Sequence, residues 1–461
     1  MSPIDASTLA RHAGGELAAG RGDVLANAVS TDTRTVPAGS VFFALRGERF
    51  DANDFAPQAI AAGASIAVVE RWEGDCPDHA AVIKVADSLS ALQRFAAWYR
   101  RQRELPVVGI TGSNGKTSTK DFTAAVLSRA YPVCATRGNF NNHIGVPLSV
   151  LTLEESHGAA VIEMGMNHPG EIAPLCEIAK PNLGIITNIG TAHIEFLGSR
   201  EAIAEEKGAL ARSLPEDGAL FLPVGCDFHD YFKRRTKARV ITVGNGRGLV
   251  RAENLRQDEG RSSFTLVIDG KPSAEVDLPV TGRHMVTNAL LAAGAGWFLG
   301  MEPEAIAAGL SSTRLTSGRL RRFISGGITI FDDTYNANPE SMAAAIDTLA
   351  ETPVGNGSGR RIAVLGRMGE LGTHAAEAHL KVGRLAASRG LQVIAVGEGS
   401  QGIAEGAGIA EGAGKAEHFP DEAAAAAWLA GHVKPGDVVL FKGSRSAAVE
   451  RVMNQAFPSQ D

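Results

Sequence analysis

Apolar positions recur along the chain in three different rhythms. Up to residue 103, short apolar runs at 40–45 and 65–70 predict strands, and residues 88–103 place Leu89, Leu92, Phe95 and Ala96 at the spacing of an amphipathic helix. The basic end of that helix, Arg100, Arg101 and Arg103, suits a helix C-terminus. Pro106 then stops it, which places a domain boundary nearby. The next segment opens with an apolar strand at 106–110, a glycine-rich turn, and a helix bearing Phe122, Ala125, Val126 and Arg129. Runs at 159–164 and 183–188 are short, bounded by turn residues and separated by helical pattern, which is the rhythm of parallel α/β structure. Residues 249–281 alternate instead and predict antiparallel hairpins turning at Asp269-Gly270, followed by a helix over 285–299. Beyond residue 313, strands at 361–365, 391–396 and 437–441 alternate with helices at 375–388, 421–429 and 446–455, and 355–359 reads as an exposed loop.

Length agrees with that division, since 461 residues exceed one ordinary core. The expected fold is α/β in three domains. Residues 1–103 form a small α/β domain, and 104–312 a central mononucleotide-binding domain with a mostly parallel sheet and an antiparallel appendage. Residues 313–461 form a Rossmann-like α/β domain. A hydrophobic fraction of 44% with 21% charged residues is that of a globular protein, and a net charge of −6 argues against a general nucleic-acid binder. The four cysteines stand far apart with no CxxC pair, which argues against a cysteine zinc site and predicts free thiols. Met1 to Gly15 lacks the apolar stretch of a secretory signal, and no window approaches a membrane helix, so a cytoplasmic protein is expected.

The strongest chemical signal is Gly112-Ser113-Asn114-Gly115-Lys116-Thr117-Ser118, set between a strand and a helix. Glycines let backbone N–H groups approach phosphate oxygens, the helix N-terminus adds positive potential, Lys116 reaches the outer phosphates, and Thr117 can ligate magnesium. The spacing departs from the common phosphate loop, because Ile110 stands where that loop has its first glycine. Glu163 ends an apolar strand, where open α/β sheets bind ligands, and can hold magnesium beside the phosphates. His193 follows the next strand. Lys207, taken alone, reads as a solvated residue on a helix.

The loop Thr111–Thr117 resembles the ATP loop of the Mur ligase superfamily, which includes folylpolyglutamate synthases. The resemblance covers essentially the whole chain. It implies that Glu163, His193 and Lys207 belong to a site for two magnesium ions, with Lys207 carbamylated. It likens Gly138-Asn139-Phe140-Asn141-Asn142-His143-Ile144-Gly145 to an Asn-rich segment near the nucleotide. Asn288 is matched to an adenine-side contact, Arg319 to an arginine entering from the third domain, and Asp333 to an acidic residue that meets ATP on closure.

Ser30, Asp32, Thr33 and Arg34 resemble the family's uridine-binding start. The Asp-Asn-Pro-Arg motif of the diaminopimelate-adding members is absent. The segments from Gly366 to Gly372 and from Lys442 to Ala448 resemble those of the members that add D-alanyl-D-alanine. Asn336, Lys442, Ser444 and Arg445 are then the expected contacts of that amine substrate. The resemblance thus implies an ATP-dependent ligase that joins D-alanyl-D-alanine to a UDP-N-acetylmuramoyl tripeptide through an acyl phosphate, with Lys116, His193 and Lys207 as catalytic residues. No nucleic-acid or membrane partner is expected, and a monomer is. A folylpolyglutamate synthase would not need the uridine-like start. A non-catalytic nucleotide sensor would be expected to have lost some of Lys116, Glu163, His193 and Lys207.

Overall fold

Strands Val107–Thr111, Ala159–Glu163 and Leu183–Ile186 lie side by side in a nine-stranded sheet and are buried along their whole length. Strands covered on both faces read as continuous apolar runs, which is why they stood out in the sequence. The computed structural model describes residues 1–258, 260–355, 359–409 and 416–458, so residues 356–358 of the expected glycine-rich loop lie outside the described residues.

From one edge, the nine strands run Lys271–Leu278, Arg261–Ile268, Val250–Asp258, Arg239–Asn245, Ala219–Pro223, Leu183–Ile186, Val107–Thr111, Ala159–Glu163 and Val133–Ala135. The expected antiparallel appendage continues the parallel sheet at one edge. Val250–Asp258 pairs in parallel with Arg239–Asn245 and antiparallel with Arg261–Ile268, so one sheet runs through both parts. Asp269 and Gly270, with φ of 50° and 78°, make the expected tight turn. The chain starts at Val107–Thr111, goes to one side, and then crosses to the other. That reversal opens a crevice at the carboxyl ends of Val107–Thr111 and its neighbours, where such sheets bind ligands.

The N-terminal sheet has five strands, with helices Ala6–Ala13 and Ser88–Arg101 on one face. Leu92, Phe95 and Ala96 are buried as the spacing predicted, each large apolar side chain contributing about 1.5–3 kcal/mol. Arg100, expected as a charge at the helix end, is instead buried and donates to the carbonyls of Ala179, Arg103 and Leu105. It thereby ties the first unit to the second.

The third sheet orders Arg321–Ser325, Ile328–Asp333, Val438–Lys442, Arg361–Gly366, Gln392–Val396 and Ala416–Phe419, all parallel except the first pair. Helix Ala375–Ser388 matches its expected bounds. The helix expected at 446–455 starts later: Arg445–Ala447 is a 3-10 turn, Ala448 has φ of 47°, and the α-helix is Val449–Ala456. Lys442 is therefore the last residue of a strand, not part of a helix-opening loop. The hairpin Arg321–Asp333 and the helices Pro339–Glu351 and Gln401–Ile409 had no counterpart in the sequence reading.

Candidate active site

The phosphate loop is built as a strand, a turn and a helix, with the helix running from Lys116 to Leu127. Gly112 and Gly115 hold φ of 149° and 78°, and a Cβ on Gly115 would sit 2.8 Å from Asn288 Oδ1, so glycine is needed there. Asn288 thus packs against the loop from helix Arg283–Phe298. The Ser113 and Asn114 N–H groups do not face the cleft. They donate to Asn188 O at 3.0 Å and Asn188 Oδ1 at 2.9 Å. The donors left for an anion are those of the first helical turn, which have no carbonyl within the helix to bond. Lys116 Nζ donates to Gly112 O at 2.8 Å, and burial pushes its pKa down, with Arg319 adding to the effect and Glu163 opposing it.

Glu163 is 1% exposed at its strand end. Its Oε1 accepts from Asn141 Nδ2 at 2.7 Å and its N–H donates to Thr136 Oγ1, while Oε2 is buried without a hydrogen-bond partner. A desolvated carboxylate oxygen left free on a cleft wall fits a cation ligand. His193 sits in the left-handed region, φ 63°, with Nδ1 2.6 Å from Glu370 Oε2. The His193 ring beside it holds the Glu370 carboxyl below its ordinary range. Lys207, on helix Arg200–Ser213, is not on a solvated face but 1% exposed. Burial drives its pKa well down and the Lys116 charge adds to this, against a pull from Glu206. Glu206 itself turns to the N–H groups of Gly170 and Ile172.

The third sheet closes the other side of a cleft of about 620 Å³. Arg319 Nη2 donates to Thr117 Oγ1 at 3.1 Å, and its guanidinium lies 3.8 Å over the Tyr335 ring. Asn338 Nδ2 donates to Asn114 Oδ1 at 2.7 Å, and Glu340 accepts from both the N–H and hydroxyl of Thr191 at 3.0 Å. Lys442 and Asp333 are paired at 2.6 Å, and Lys442 also donates to Asn336 O. His284 lines the same wall, its pKa pushed down to about 4 by burial, with Lys442 adding to the shift and Asp333 opposing it.

The cleft therefore brings together residues 113–118, Glu163, His193, Asn288, Arg319, Asp333, Asn336 and Lys442. Gly112, which the sequence counted among the nucleotide contacts, stands behind it with its carbonyl holding Lys116, and Lys207 lies just behind the wall. Ser444 is buried next to Gly369, and Arg445 turns away to Glu450, so neither lines the cleft. Ser30, Asp32, Thr33 and Arg34 lie apart from it on the N-terminal sheet, where Asp32 accepts from the Arg34 N–H and guanidinium and its pKa falls to about 2. The sequence reading assigned no role to Asn141, His284, Asn338, Glu340 or Glu370. Asn141, His284, Asn338 and Glu370 did lie inside segments that the resemblance matched, which was the available signal; Glu340 did not. Among the described residues no group of three or more His, Cys, Asp or Glu side chains is placed to hold a metal ion.

Family models match along the chain: the Mur ligase catalytic domain over residues 26–100, the Mur ligase middle domain over 110–296, and the Mur ligase glutamate ligase domain over 318–445. The chain belongs to the Mur ligase family and is an enzyme that forms carbon–nitrogen bonds. A relative from Synechocystis sp., a UDP-N-acetylmuramoyl-tripeptide–D-alanyl-D-alanine ligase, is 39% identical over 94% of this chain and 92% of its own. Among solved structures, MurF from Acinetobacter baumannii superposes with a TM-score of 0.90 at 34% identity over 99% of each chain. MurF from Thermotoga maritima in complex with ADP gives 0.82 at 29% identity, over 93% of this chain and 97% of that one.

Proposed function

We propose that this ligase uses ATP and magnesium to join D-alanyl-D-alanine to a UDP-N-acetylmuramoyl tripeptide, forming the pentapeptide precursor of peptidoglycan. The observation that carries the reading is the free Glu163 oxygen sharing one cleft with the phosphate loop and with Arg319 from the third sheet. The tripeptide carboxylate attacks the γ-phosphorus of ATP; the new O–P bond forms as the bond to the β-phosphate oxygen breaks, and ADP leaves. The amine of the dipeptide then attacks the acyl carbon, loses a proton, and expels phosphate. Both reactants of the first step are anions, so catalysis is mainly charge neutralisation and alignment. Lys116 and the first turn of its helix neutralise the phosphates, Arg319 adds charge from the opposite wall, and Asn141 orients Glu163. Thr117, Glu163, His193 and a carbamate on Lys207 would hold two magnesium ions, which supply the remaining positive charge. The desolvated Lys207 suits that modification, since only a neutral amine reacts with carbon dioxide.

Residues 1–103 bind the UDP end, 104–312 ATP, and 313–461 the dipeptide, with Asn336 and Lys442 on the cleft and Ser444 behind it. The protein works as a cytoplasmic monomer. Among the described residues no helix is long and apolar enough to cross a membrane. Phosphate release should require ATP, magnesium, UDP-muramoyl tripeptide and D-alanyl-D-alanine together. Robust turnover with a single amino acid in place of the dipeptide would overturn the assignment.

A further inference from the structure

We infer that Glu370 is a positioning residue: carried by the C-terminal sheet, it sets the tautomer of His193 on the central one. This rests on the reading of His193 as a magnesium ligand. Nδ1 lies 2.6 Å from Oε2 without being aligned on it as a hydrogen bond, and Nδ1 has no other partner among the described residues; His193 is 15% and Glu370 41% exposed. Both residues hold a backbone that non-glycine residues rarely adopt, φ 63° for His193 and 58° for Glu370, so the meeting is imposed from both sides. The surrounding segments dock as well. Glu195 N–H donates to Glu370 O at 3.3 Å, and a Cβ on Gly372 would meet Glu195 Cγ at 3.2 Å. Glu340 grips Thr191 two residues before the histidine.

The chemistry follows from the ring. A carboxylate beside Nδ1 repels a lone pair there and favours N–H, which leaves the lone pair on Nε2. Only a nitrogen with a free lone pair ligates a metal, and the group facing the other nitrogen decides which one that is. Because Glu370 comes from another sheet, His193 is held in its ligating form only while the two sheets are docked. Docking of the C-terminal unit thus finishes a site whose other protein donors, Thr117 and Glu163, sit entirely on the central one.

The test compares wild type with Glu370→Ala, Glu370→Gln and His193→Gln. Magnesium is titrated against each protein with a non-hydrolysable ATP analogue, and the ring nitrogens are read by NMR on histidine-labelled protein with the analogue present. His193→Gln assigns the His193 signals and reports whether that side chain matters for magnesium at all. Glu370→Ala should raise the magnesium half-saturation about 10–100-fold and move the His193 proton from Nδ1 toward Nε2. Glu370→Gln keeps an acceptor at the same place, so it should retain the tautomer and most of the affinity. If Glu370→Ala leaves both readouts unchanged while His193→Gln weakens magnesium, the positioning role fails and the ligand reading stands. If His193→Gln leaves magnesium unaffected, both fall.

Discussion

Asp333 and Lys442 are register partners at the carboxyl ends of adjacent parallel strands, and their side chains close at 2.6 Å from Oδ2 to Nζ. The sequence assigned them to different ligands, Asp333 to ATP and Lys442 to the incoming amine. The structure joins them to each other and, through Asn336 O, to the loop that carries Asn338 to Asn114. Lys442 is 3% and Asp333 16% exposed, so removing Lys442 leaves a largely desolvated carboxylate with only the Leu320 N–H as partner. Lys442→Met should cost about 3 kcal/mol in denaturant unfolding, whereas the exposed Arg445→Ala should change stability by less than about 0.5 kcal/mol. Equal effects would mean that the pair has no structural part.

Lys116 answers to a different measure. Lys116→Ala should cost on the order of a hundredfold to a thousandfold or more in turnover while leaving circular dichroism unchanged, because the side chain meets only loop carbonyls. A near-normal rate at saturating ATP would make Lys116 a bystander.

Lys207→Ala should be folded and nearly inactive, with formate or acetate restoring part of the activity by supplying the missing anion. Labelled bicarbonate should give wild type a carbamate carbon-13 signal that the variant lacks. An active wild type without that signal would contradict the modification.

His284 gives stability a pH dependence of known sign. Its folded pKa of about 4 lies below the ordinary imidazole value of 6.5, so as pH falls the unfolded chain takes up the proton first. The stabilisation is complete above about pH 6.5 and drains away toward about pH 4. His284→Gln should therefore flatten the fall of melting temperature across that window, and an unchanged slope would show that the ring titrates as in solution.

The third unit should also move as a body. Adding an ATP analogue and the UDP substrate should lower the radius of gyration by small-angle scattering, and Glu340→Ala, which frees Thr191, should shift the unliganded protein toward the larger value. Identical curves in every state would argue against a swing.

The phosphate loop was legible because Gly112 to Ser118 are contiguous and their chemistry is local. The central strands were legible because burial on both faces leaves unbroken apolar runs. Glu340 and Asn338 were not, since they act on Thr191 and Asn114 from 149 and 224 positions away, and only docking of the two sheets joins them. Lys207 looked like any helical lysine; its burial depends on neighbours that its own helix does not reveal. Helix Gln401–Ile409 escaped because its face is made of small residues. Gly402 and Gly406 lie against helix Ala375–Ser388 where longer side chains would ordinarily mark a core position. Strand Arg321–Ser325 is largely exposed at a sheet edge, so it had no apolar run to show.

Helix Pro303–Ser311 lies along the last strand of the nine-stranded sheet, with Ser311 Oγ accepting from the Asp277 N–H at 3.4 Å. It covers an edge that could otherwise recruit a strand from another molecule. The same helix presses on the helix that begins at Lys116, and a Cβ on Gly309 would come within 2.6 Å of Val126 Cα. One glycine thus serves both colloidal stability and the placement of the nucleotide helix. A bulkier residue there would lift the cover as it displaced Lys116, so precipitation during expression, rather than a clean loss of ATP affinity, is the phenotype by which such a variant would be known.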